Sequence, residues 1–102
     1  MKEITVQELK RLKDESANFE LIDVREEYEF ETANIAGKLI PMGEAADRIA
    51  EIPKDKQVIV HCRSGKRSAT VIQFLETQHG YTNLYNLKGG ILRSEEHTSE
   101  LQ

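Results

Sequence analysis

The chain lacks a second cysteine. Cys62 is the single one in 102 residues, so no internal disulfide can form and nothing calls for an oxidising compartment. An early apolar run is also missing. The opening "MKEITVQELKRLKDE" interleaves charges with apolar residues, and no secretory signal is expected from it. No apolar run is long enough to span a bilayer. Basic residues are not in excess either. A net charge of −4 gives no support for nucleic-acid binding over the whole surface, but it leaves room for a local cationic site that takes a small anion. There is no internal repeat and no low-complexity linker. With 38% hydrophobic and 31% charged residues, the composition is that of one globular domain with one core. A cytoplasmic protein without membrane or nucleic-acid partners is expected.

Strands and helices alternate along the chain. Thr5 and Glu8 have capping-box spacing, and Val6, Leu9 and Leu12 follow at three-residue intervals, which predicts a first helix. "FELIDV" (19–24) reads as a buried strand, and "REEYEFETANIAG" as a loop with a short acidic helix. "KLIPM" (38–42) is a second short strand. "GEAADRIAEI" (43–52) predicts a helix with Ala46, Ile49 and Ala50 on one face. "QVIVHC" (57–62), β-branched and almost wholly apolar, has the composition of a central parallel strand. A helix follows from Lys66, with Ala69, Ile72 and Leu75 on its apolar face and Gly80 as its stop. "TNLYNLKGG" (82–90) is the last strand. This order implies an α/β fold with a mostly parallel sheet. The final "RSEEHTSELQ" (93–102) shares no periodicity with what precedes it and resembles the in-frame translation of a sequencing-library adapter. We read the domain as residues 1–92 and the tail as non-native.

Chemistry concentrates in "VIVHCRSGKRSA" (58–69), where the strand stops at Cys62 and Arg63, Lys66 and Arg67 follow without an acid. A strand–loop–helix passage puts such a loop at the carboxyl edge of an open sheet, where ligands of α/β folds bind. The helix start offers unpaired N–H groups and a partial positive charge, and Gly65 lets the loop curl so that successive N–H groups turn inward. Three bases at a helix start are unfavourable unless an anion offsets them. A bowl of this kind favours a thiolate over a thiol and also favours a bound anion. The plain alternative is a cysteine that only fills space behind a strand.

With these motifs in order, "LIDVREEYEF", "IAGKLIP", "VIVHCRSGKRS" and "LYNLKGGI", residues 1–92 resemble the single-domain rhodanese-like family. The resemblance implies an α/β fold with a mostly parallel sheet of about five strands flanked by helices on both faces. It implies that Cys62 is the nucleophile that takes a sulfane sulfur from thiosulfate, releasing sulfite, and passes it to cyanide, a cellular thiol or a thiol-bearing protein. No metal and no organic cofactor is implied. The backbone N–H groups from Arg63 through Ser64, Gly65, Lys66 and Arg67 to Ser68 would stabilise the persulfide, and Arg63 and Lys66 would meet the thiosulfate dianion. The side chain of Arg67 is left open between the bowl and the sheet, and Ser68 is expected to satisfy backbone donors at the helix start.

Structural support is expected from Asp23, fixing the cysteine loop or a neighbouring turn, and from Arg25 and Glu29, spaced to pair with each other. His61 should face away from Cys62 and serve packing. Asn34 stands where many family members carry histidine, and no tryptophan follows the glycine pair. Three rival functions stand beside this one. A cysteine phosphatase needs C-x5-R, whereas Cys62 and Arg67 form C-x4-R, which suits a single sulfur atom. A non-catalytic binding module usually lacks the cysteine. A persulfide relay between proteins uses the same chemistry with another partner.

Overall fold

The computed structural model describes residues 1–94. Apart from residues 93 and 94, the tail read as foreign lies outside them. Five strands form one sheet: β1 (Lys2–Ile4), β2 (Phe19–Asp23), β3 (Lys38–Leu39), β4 (Gln57–His61) and β5 (Leu84–Leu87), in the spatial order β1-β5-β4-β2-β3. Every pairing is parallel. Four α-helices accompany them: α1 (Val6–Asp14), α2 (Glu27–Thr32), α3 (Lys66–His79) and α4 (Gly90–Ser94).

The middle strand explains the layering. Val58, Val60 and Cys62 point to one face of β4, where Val71, Ile72 and Leu75 of α3 cover them together with Ala45 and Ile52. Ile59 points to the other face, among Val6 and Leu9 of α1 and Ile91 of α4. With both faces covered, β4 has no solvent side, so its sequence runs apolar without alternation. The fold is therefore α/β with helices on both faces of a five-stranded parallel sheet, as the sequence suggested.

Several local expectations change. β1 was not foreseen: it has three residues, only Ile4 of them buried, and it is an edge strand, so it leaves no pattern. Residues 43–52 do not form one α-helix. They make two short 3-10 helices, Met42–Asp47 and Ile49–Glu51, with i→i+3 bonds such as Arg48 N–H to Ala45 O at 3.2 Å. Gly43 near the start and prolines at 41 and 53 make the segment a poor α-helix nucleus, and the core takes Ala45 and Ile52 instead of Ala46 and Ala50. On α3 Ile72 and Leu75 are buried as expected, with Ser68 and Val71 beside them, whereas Ala69 is only half-buried. The last strand ends at Leu87, and the glycine pair turns the chain into α4.

Candidate active site

β4 delivers the chain to Cys62 at the carboxyl edge of the sheet, and α3 begins four residues later. Gly65 makes that turn at φ 106°, a conformation that side-chain-bearing residues rarely adopt, and from there its N–H reaches back to Cys62 Sγ at 3.1 Å. The loop is held from behind by α4. Ile91 N–H donates to Cys62 O at 2.9 Å and Leu92 N–H to Arg63 O at 3.0 Å. This approach needs a glycine at 90: a Cβ there would stand 2.6 Å from both Cys62 O and Arg63 O.

Cys62 is 1% exposed, while the rim residues Arg63, Ser64 and Lys66 are exposed. Neither basic side chain of that rim has a partner among the described residues. Burial pushes the thiol up. The N–H groups of Ser68, Gly65 and Ser64, together with the Ser68 hydroxyl when it donates to the sulfur, push it down by more, to below its usual value. Ser68 Oγ stands 3.4 Å from Sγ and donates to Asn86 Oδ1 at 2.6 Å.

Arg67 turns away from the sulfur. Its guanidinium makes two parallel bonds to the Glu29 carboxylate, at 2.7 and 2.9 Å, which tie α3 to α2. Arg67 holds that carboxyl down to about 2. Beside the loop lies an open groove of about 400 Å³, lined by Tyr28, Thr32, Ala33, Arg63 and Ile91 among others. The Tyr28 ring is 70% exposed.

Residues 5–96 match the Rhodanese-like domain. The chain belongs to this family. The rhodanese-like chain is 40% identical over 78 residues to a sulfurtransferase of Allochromatium vinosum, covering 76% of this chain and 72% of that one. It is 34% identical over 99 residues to the putative sulfurtransferase YtwF of Bacillus subtilis, covering 96% and 94%. Among solved structures it superposes on a rhodanese-like domain protein from Staphylococcus aureus with a TM-score of 0.81 at 35% identity, covering 89% of this chain and 88% of that one. Other curated relatives are longer, and the chain spans 56% of one and 23% of another.

Within the rhodanese-like domain, the supporting residues are wired differently from expectation. Arg25 and Glu29 do not form an ion pair. The Arg25 guanidinium, 4% exposed as a residue, takes Asp23 with Nε to Oδ1 at 2.9 Å and Nη2 to Oδ2 at 2.7 Å, and donates to Ala33 O at 2.8 Å. Asp23, at the end of β2 and fully buried, is the nearer and drier carboxylate, and Glu29 faces Arg67 instead. Asp23 thus fixes the turn after β2. Ser68 does not cap the helix start: it is the third residue of α3 and faces inward, and Gly65 at the cap position has no side chain to offer. His61 faces away from Cys62, with Nε2 3.7 Å from Asp23 Oδ2. Asn86 and Gly90 escaped sequence reasoning. A lone asparagine in a strand carries no periodic signal, and the glycine pair read only as a strand end.

Proposed function

We propose that this protein is a sulfurtransferase that moves a sulfane sulfur through a persulfide on Cys62. The observation that carries the reading is the position of Cys62 Sγ inside the curled loop 62–68, where it accepts the Gly65 N–H and lies against Ser68. The Cys62 thiolate attacks the outer sulfur of thiosulfate. A new S–S bond forms, the old one breaks, and sulfite leaves with its electron pair. An acceptor thiolate or cyanide then attacks the terminal sulfur and Cys62 leaves as thiolate. Loop N–H groups aimed at that terminal sulfur stabilise its charge in both steps, because they are already oriented when the charge arrives. Arg63 and Lys66 draw the dianion to the rim. Arg67, its charge matched by Glu29, fixes the loop from outside.

The relatives named as sulfurtransferases support the reaction class. No helix of the described residues is long and apolar enough to cross a membrane. The reading puts the protein in the cytoplasm, where a free thiol persists. A relay fed by a protein-bound persulfide is the second reading, favoured by the exposed Tyr28 ring at the groove beside the loop.

Intact-mass spectrometry of the reduced protein after thiosulfate, beside Cys62→Ser, tests the proposal. A gain of one sulfur atom on the parent chain alone is expected. A folded, reduced protein that gains none from thiosulfate but gains it from a protein persulfide supports the relay. Gain on neither treatment overturns both.

A further inference from the structure

Asn86 lies on β5, on the face turned to α3, and its side chain is buried beside Ser68. Its orientation is fixed by what surrounds it. Nδ2 donates to Gly65 O at 3.1 Å, and a carbonyl can only accept. Oδ1 therefore faces Ser68 Oγ at 2.6 Å, and an amide oxygen can only accept as well. The Ser68 hydroxyl has one proton, and Asn86 takes it. Toward Cys62 Sγ at 3.4 Å, Ser68 presents a lone pair. That lone pair suits an S–H donor and repels a thiolate.

We propose that Asn86 is a positioning residue that sets the direction of a hydrogen-bond relay, Cys62 S–H to Ser68 O–H to Asn86 Oδ1, which holds the resting thiol protonated. A hydrogen bond from Ser68 to the Cys62 thiolate requires its hydroxyl to turn from Asn86 to the sulfur, which leaves the buried Oδ1 without its donor. The loop N–H groups thus act on the thiol at all times, whereas the share from Ser68 is released only by this turn. The relay ties reactivity to an incoming anion: a substrate that draws the Ser68 hydroxyl outward also frees the sulfur for attack. The charged groups of the loop are Arg63 and Lys66, exposed on the rim, and Arg67, which turns away to Glu29. His61 and Asp23 lie on the opposite face of the sheet, and the α4 residues that hold the loop, Gly90, Ile91 and Leu92, are not titratable. Neither substitution below alters any of these groups.

The proposal concerns only the proton on Cys62 and does not depend on sulfur transfer. Because the chain has one cysteine, the ultraviolet absorbance of its thiolate reports that proton directly as pH is raised. In Asn86→Leu the freed Ser68 hydroxyl donates to the sulfur, and the ionisation midpoint is expected to fall by about one pH unit. Ser68→Ala removes both the acceptor of the thiol and the latent donor to the thiolate, so its midpoint is expected to move by less than roughly half a pH unit. Adding Asn86→Leu to Ser68→Ala should then change nothing further, which a purely structural role of Asn86 does not predict. A rise of a full unit or more in Ser68→Ala would show that the hydroxyl already donates to the sulfur and would overturn the relay. So would an unshifted midpoint in folded Asn86→Leu, or an equal shift with and without Ser68. If Asn86→Leu fails to fold, the Ser68→Ala midpoint decides alone.

Discussion

Lowering the pH should unfold this protein through one buried histidine. His61 is fully buried on β4, and neither ring nitrogen has a hydrogen-bond partner among the described residues. Burial lowers its pKa, Asp23 at 3.7 Å raises it, and Arg25 lowers it again, so that the ring falls from the usual 6.5 to about 4. Proximity to a carboxylate would by itself predict the opposite shift. Burial prevails because Arg25 already matches the Asp23 charge. A histidine lowered in the fold takes its proton more readily in the unfolded chain. The stability linked to it is fully present above pH 6.5 and is lost as pH falls toward 4. By pH 4.5, the usual carboxylate value, the loss reaches roughly 2.5 kcal/mol, a sizeable part of a small domain's stability. Urea unfolding of the parent chain and of His61→Leu at several pH values between 6.5 and 4.5 measures it, since carboxylate effects cancel in the difference. The parent should lose stability across the window by that much more than the variant. Equal slopes, or a ring that titrates near 6.5 in the folded protein by NMR, would refute the reasoning.

Two further outcomes follow from contacts around the loop. Gly90→Ala places a methyl group 2.6 Å from the Cys62 and Arg63 carbonyls at φ 59°, so a loss of roughly 3 kcal/mol is expected together with impaired sulfur loading; an unchanged urea midpoint would count against the contact. Arg67→Gln removes both bonds to Glu29, whose partners are 30% and 15% exposed, and should cost about 1 kcal/mol near neutral pH. Because the Glu29 carboxyl is lowered to about 2 by Arg67, that difference between variant and parent should be present above pH 4.5 and vanish as pH falls to about 2; a difference that persists in acid would assign it to packing.

The sequence made legible what is local or periodic. The strand 57–62 announced itself through composition, and the loop from Cys62 to Ser68 through the meeting of thiol, glycine and bases within seven positions. The capping box at Thr5 forms as spaced, with the Glu8 N–H to Thr5 Oγ1 bond at 3.1 Å. What stayed hidden depends on contacts that no short window contains. Glu29 and Arg67 lie 38 residues apart, and their pairing overrides the nearer Arg25. Asn86 meets Ser68 from 18 residues away because β5 lies beside β4. The two 3-10 helices reflect a core that selects Ala45 and Ile52 over helical spacing.

The grip of α4 on the cysteine loop has a consequence for how the molecule assembles during synthesis. Among the described residues, the backbone donors to the Cys62 and Arg63 carbonyls are Ile91 and Leu92. A nascent chain made only as far as β5 lacks both donors, so these two carbonyls of the loop are not yet held from behind. Such closure between distant segments is late in folding, because loop entropy must be overcome before the contact forms. The backing of the thiol loop therefore waits for residues 90–92, the last part of the chain that it needs.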